Sequence, residues 1–82
     1  MKVHGYKNTE DDKLLSLNEA SIYCTIEELE KLINFLKYVK DEFLKDDNFK
    51  YQCHEHYRDW DNNWTKESSD IIIIINNEKF EK

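Results

Sequence analysis

The chain has 82 residues, a formal net charge of −6 at pH 7 and 37% charged residues. A chain of this length buries only roughly 60% of its unfolded surface, so we expect one small domain. The negative charge argues against a nucleic-acid-binding face and suits a partner with a basic surface. No apolar run reaches the roughly 18 residues of a membrane span, and the N-terminus lacks a signal-peptide pattern. We therefore expect a cytoplasmic protein with no membrane contact, which two cysteines without a secretory signal also favour.

The first third of the chain predicts short extended segments. Residues 2–7 are expected to form a weak edge strand, and residues 8–13 a charged turn. Residues 14–24 also have an extended pattern, but the apolar residues of its two halves alternate out of phase. A bulge or tight turn at residues 18–19 would restore a common face.

The dominant element is a helix predicted over residues 25–44. Thr25 and Glu28 have the spacing of a capping box at its start. Apolar residues recur at steps of three and four, which predicts one buried stripe with Leu36 at its centre. The stripe consists of Ile26, Leu29, Leu32, Ile33, Leu36, Val39 and Phe43.

The last part of the chain predicts two further strands. Residues 49–58 alternate with period two, residues 59–69 form a long polar loop, and residues 70–75 contain five consecutive isoleucines. Together these elements predict an α+β fold: a four-stranded, mainly antiparallel sheet of split β-α-β type with one long helix packed on one face. Residues 1–82 are expected to form a single domain, with a frayed tail at residues 76–82.

The isoleucine strand raises the question of what covers the second face of the sheet. Alternate isoleucines point to opposite faces, and a single helix covers only one of them. We therefore expect a homodimer through the open sheet face, or else a patch that stays exposed until a partner protein binds.

His54 and His56 point to the same face of a strand, so both imidazoles suit one metal ion, with Asp59 as a third ligand. The ordinary interpretation, which we favour, is a pair of surface or half-buried histidines. On that basis we expect no metal and no other cofactor.

The residues around the two tryptophans form the candidate binding site. Tryptophan and arginine are frequent anchors at protein interfaces, and the neighbouring aspartates suit a cationic partner. The alternative is that both indoles cover the open face of the sheet. The predicted partner-binding residues are Arg58, Asp59, Trp60, Asp61 and Trp64.

The order of these elements resembles small immunity-protein families of bacterial polymorphic toxin systems. Those families combine a strand, a capped "eeL" helix ending in "FL", a His-x-His strand and a terminal "pdiii" strand; Ser69 replaces the usual proline. The resemblance implies a cytoplasmic, non-catalytic inhibitor that binds and neutralises a cognate toxin. The alternative is a small metal-dependent or ligand-binding enzyme using His54, His56 and Asp59. The matching positions are Thr25, Glu28, Leu29, Phe35, Leu36, His54, His56, Asp59, Asp70 and Ile71 to Ile73.

Overall fold

The computed structural model of the protein describes residues 1–7, 13–45 and 52–76. Its class is α+β with one long helix, as predicted. Outside the described residues lie residues 8–12 of the predicted turn at 8–13, residues 49–51 of the predicted strand at 49–58, and residues 77–82 of the predicted tail. Asn76, predicted to begin the tail, is instead the last residue of the final strand. The elements in chain order are β1 (Val3–Gly5), β2 (Leu15–Leu17), α1 (Ile26–Lys45), β3 (Gln52–His56), α2 (Tyr57–Trp60) and β4 (Ile72–Asn76).

The four described strands form two separate antiparallel hairpins, whereas the sequence predicted a single four-stranded sheet. The first strand pairs with the second as expected, with Val3 opposite Leu17. Gly5 permits close packing here, because a Cβ atom at that position would lie 3.1 Å from Leu17 Cδ1. The chain bends at Asn18, where β2 ends. The predicted bulge or turn at residues 18–19 is therefore the point at which the strand stops, and no strand follows it before α1. β2 has only three residues, so few backbone hydrogen bonds join it to β1. The chain between β2 and α1 is irregular and exposed.

The helix α1 begins with the predicted capping box. The backbone N–H of Glu28 donates to Thr25 Oγ1 at 3.1 Å, and the backbone N–H of Thr25 donates to Glu28 Oε1 at 2.8 Å. These bonds satisfy amides that have no partner inside the helix. They also lower the pKa of the Glu28 carboxyl, chiefly through the bond from the Thr25 amide.

The buried side of α1 differs from the predicted stripe. Phe35 is 0% and Val39 2% exposed, whereas Leu36, the predicted centre, is 42% exposed. Leu32 and Phe43 are half-buried at the edge of this side. The prediction for Leu36 was therefore wrong, and the helix is turned so that Phe35 faces the rest of the molecule.

Burial along β4 follows the predicted alternation. Ile72 is 46% and Ile74 56% exposed, while Ile73 and Ile75 are half-buried. His54 and His56 lie opposite the two exposed isoleucines across the β3–β4 ladder. Because residues paired directly across a sheet point to the same side, these four residues share one face. We call this the hairpin face.

Within the described part of the chain, no helix has the length and apolar character needed to cross a membrane. The Cys24 thiol is free and exposed.

Candidate protein-binding site at the α2 turn

The short helix α2 replaces the end of the predicted strand and the beginning of the predicted loop. The Tyr57 N–H still donates to the Ile71 carbonyl at 2.8 Å, which closes the β3–β4 ladder. The Asp61 N–H then donates to the Tyr57 carbonyl at 2.9 Å, and the Trp64 N–H to the Asp61 carbonyl at 3.0 Å. Arg58 consequently lies in a helical turn and not in the predicted strand.

We call α2 together with the residues that follow it, residues 57–64, the α2 turn. It is attached to α1 by an aromatic cluster formed by Phe35, Tyr38, Tyr57 and Trp60. The rings of Phe35 and Tyr57 meet edge to face, with centroids 5.3 Å apart and planes at 86°. Trp60 lies 5.6 Å from Phe35 and 5.7 Å from Tyr57, and Tyr38 lies 6.5 Å from Trp60. Edge-to-face aromatic pairs contribute roughly 0.5–1.5 kcal/mol beyond their burial. Trp60 therefore packs against the helix, and only part of its indole remains accessible.

A carboxylate at the start of the isoleucine segment holds the first residues of α2. Asp70 Oδ1 accepts the backbone N–H of Arg58 at 2.9 Å, and Asp70 Oδ2 lies 2.7 Å from His56 Nδ1. The Arg58 Nε is 3.8 Å from the same Oδ2, and the Asp70 side chain is mostly buried. Burial alone would raise the pKa of Asp70, but these hydrogen bonds and charges outweigh it and lower the pKa below its usual value.

A second carboxylate holds the other end of the turn. Asp61 Oδ2 accepts the Tyr57 hydroxyl at 2.8 Å, and Asp61 Oδ1 accepts the Asn63 N–H at 3.0 Å. Lys31 Nζ approaches Asp61 Oδ1 at 3.8 Å, which connects the turn to α1. The Asn63 and Tyr57 hydrogen bonds lower the pKa of Asp61. The pKa of Tyr57 is raised to about 12, chiefly because its hydroxyl is buried. The hydrogen bond to the Asp61 carboxylate and the negative charge of that carboxylate act in the same direction.

The Tyr57 hydroxyl provides a direct spectroscopic test of this packing. We expect one tyrosine to ionise only near pH 12, because the phenolate would be desolvated beside the Asp61 carboxylate. A raised folded-state pKa means that its stabilising contribution is complete below about pH 10 and is lost as the pH rises through about 12. Phenolate absorbance recorded against pH should lose this late step in Tyr57→Phe. A wild-type titration without a separate step near pH 12, superimposable on that of Tyr57→Phe apart from the loss of one tyrosine of ordinary pKa, would contradict the packing.

The five predicted binding residues divide into supporting and accessible side chains. Trp60 and Asp61 hold the turn in place, and the Trp64 Nε1–H donates to the Ser69 carbonyl at 3.0 Å. Arg58 is 51% and Asp59 72% exposed, with the Arg58 Nε 3.8 Å from Asp59 Oδ1. The structure thus brings all five into one turn, with Arg58 and Asp59 outermost.

Two important residues were missed as parts of this site. Asp70 was identified in the sequence as the start of the isoleucine strand and as a position of the family pattern, without a role in the site; Tyr57 was only one residue of an alternating pattern. Their roles depend on partners 4 to 14 residues away. A carboxylate directly before an otherwise apolar strand was the available signal for Asp70.

The three residues of the metal-site alternative do not form one group, although His54 and His56 share the hairpin face. His56 Nδ1 is engaged by Asp70, His54 is exposed, and Asp59 lies on the outside of α2. In residues 1–7, 13–45 and 52–76, no three His, Cys, Asp or Glu side chains are placed to hold a metal ion.

In the comparisons with known proteins, no family model, no curated protein and no solved structure gives a significant match.

Proposed function

We propose that this protein is a non-catalytic protein-binding module, an immunity protein that binds and neutralises a cognate bacterial toxin in the cytoplasm. The observation that carries the proposal is the α2 turn. Its backbone is held by Asp70 and Asp61, while the side chains of Arg58 and Asp59 extend into solvent. The proposal also draws on the resemblance of the sequence pattern to immunity-protein families.

A turn held in this way is suited to binding a protein. Association costs free energy when loops and side chains must be ordered, and a preorganised backbone reduces that cost. Arg58 also has its Nε near two carboxylates, Asp59 and Asp70, which restricts where the guanidinium points. Arginine and tryptophan are each enriched at interface hot spots, and Trp60 remains partly accessible.

The charge of the chain indicates the chemistry of the partner. A net charge of −6 attracts a basic surface over long range and raises the association rate at low salt. Asp59 is the exposed carboxylate of the turn and suits a lysine or arginine of the toxin. We therefore propose a toxin with a basic contact surface.

The experiment begins with the toxin gene expected next to the gene for this chain. Producing the toxin domain should stop growth, and producing this protein with it should restore growth. With purified proteins, titration calorimetry on Arg58→Ala and Asp59→Ala should show the dissociation constant rising about tenfold or more for at least one of them, the size of a modest hot spot.

Lys66→Ala is the matched control, because Lys66 is exposed and lies in the following loop outside residues 58–64. Thermal melts should show that all three variants stay folded. Failure of the wild-type protein to bind the toxin domain or restore growth would refute the function. Tight binding that neither turn variant weakens would instead refute the site.

A further inference from the structure

The side of α1 turned away from the aromatic cluster carries an uncovered row of large apolar side chains. Ile26 is 69% exposed, and Leu29, Ile33 and Leu36 are between 39% and 43% exposed. Their spacing alternates between three and four residues, which is the spacing at which one helix packs along another. We call these four residues the α1 seam.

The charges beside the α1 seam have opposite signs in its two halves. Glu30 lies next to its N-terminal half, and Lys37 lies on the same side next to its C-terminal half. Both side chains are exposed. Glu30 and Lys37 are seven residues apart, too far to pair within one helix, where ion pairs form at three or four residues.

We propose that the α1 seam is a self-association surface on which the α1 helix of a second copy packs antiparallel, related by a two-fold axis. An antiparallel copy places Glu30 of each chain beside Lys37 of the other, so the contact occurs twice. It also places Ile33 opposite Leu36 at the centre of the interface. The two helix dipoles then oppose each other, which is favourable.

Lys40 continues the seam by one turn and fits the same arrangement. In the register that sets Ile33 opposite Leu36, Lys40 lies across from Leu29 and Glu30 of the second copy. Its aliphatic stem covers the leucine while its ammonium group reaches the carboxylate. A parallel pair in register would instead set Lys40 against Lys40, which favours the antiparallel copy.

The α1 seam is a better self-association surface than the hairpin face, where the sequence placed a dimer. The hairpin face presents two exposed isoleucines beside His54 and His56. The α1 seam is longer and has charges of both signs in a self-complementary order. The inference concerns self-association and does not rest on toxin binding.

Charge reversal tests the antiparallel arrangement directly. In sedimentation velocity across a concentration series, the wild-type protein should show a monomer–dimer equilibrium. Glu30→Lys and Lys37→Glu should each raise the dissociation constant roughly five- to thirty-fold, because two exposed pairs change from attraction to repulsion. The double variant should regain most of the lost association, as should an equimolar mixture of the two single variants; the remaining deficit is the contact between Lys40 and Glu30, which the exchange does not restore.

Two further variants establish which apolar surface is used. Ile33→Gln should abolish the dimer while circular dichroism keeps the helical signal, because Ile33 is 43% exposed. The double variant Ile72→Thr with Ile74→Thr keeps residues that favour strands and should leave the dimer unchanged. The proposal is overturned if the wild-type protein stays monomeric at several hundred micromolar, if the hairpin variant and not Ile33→Gln abolishes the dimer, or if the charge reversals are not restored by combination.

Discussion

Phe35→Ala is expected to cost roughly 3–5 kcal/mol of unfolding free energy, the usual range for deleting a buried phenyl ring. Phe35 is completely buried and contacts both aromatic rings of α2. A chain of 82 residues has a total stability of only about 4–12 kcal/mol at ~0.05–0.15 kcal/mol per residue. The variant should therefore lose a large fraction of the total stability, and it unfolds at room temperature if the wild-type value lies near the lower end of that range. Urea unfolding followed by tryptophan fluorescence measures the change, since Trp60 reports on the cluster directly.

Leu36→Ala is the matched control, one residue further along the same helix. Leu36 is 42% exposed, so its truncation should cost about 1 kcal/mol or less when measured on dilute, monomeric protein. If Phe35→Ala leaves too little folded protein, Phe35→Leu keeps most of the volume and should cost roughly 1.5 kcal/mol or less. Equal losses for the two alanine variants, or a larger loss for Leu36, would show that the helix buries its other side.

Asp70→Ala is expected to destabilise the protein by roughly 1.5–3 kcal/mol, the usual contribution of hydrogen bonds to a charged group. The substitution leaves the Arg58 amide and the His56 ring without the acceptor they share. The β3–β4 hairpin and α2 meet at this carboxylate, so the turn should also become more mobile. Amide hydrogen exchange at Arg58 would register that loosening separately from global unfolding.

The control for Asp70 is Asp59→Ala in the neighbouring helical turn. Asp59 is 72% exposed, and the Arg58 Nε lies 3.8 Å from its Oδ1 atom. Its removal should change the stability by no more than about 0.5 kcal/mol. A loss of stability for Asp59→Ala as large as that for Asp70→Ala would mean that Asp70 has no special role in holding α2.

Asp70 also predicts how stability depends on acid. Its pKa is lower in the folded protein than the ordinary value of 3.8, so the folded state favours the carboxylate. The resulting stabilisation is fully present above pH 3.8 and is lost as the pH falls through the lowered folded-state pKa. Asp70→Asn should therefore flatten the decrease of the thermal midpoint below about pH 4. Asp61 contributes in the same direction, so part of the decrease should remain.

For partner binding, the structure separates residues that build the turn from those that are free to contact another protein. Substituting Trp60 would disturb the aromatic cluster, so lost activity there would not identify a contact. Arg58 and Asp59 have more exposed side chains and are the informative positions. The α1 seam lies on a different side of α1 from the cluster, so self-association and toxin binding can be tested independently.

The sequence by itself determined the elements whose stabilising contacts are local. The start of α1 depends on Thr25 and Glu28, three residues apart, and the capping box formed as predicted. The alternation of the isoleucines follows from strand geometry, and the burial of β4 agrees with it. The α+β class with one long helix follows from the same patterns.

Only the tertiary structure decided which side of α1 is buried and how the turn after β3 is held. The apolar residues of α1 extend around more than one side, so periodicity alone did not distinguish Leu36 from Phe35. The rings of Tyr57 and Trp60, more than 20 residues away, select Phe35. Likewise, Asp70 accepts a hydrogen bond from the backbone N–H of Arg58, which lies 12 residues away in the sequence. Contacts between distant residues depend on how the elements meet, which a local pattern does not contain.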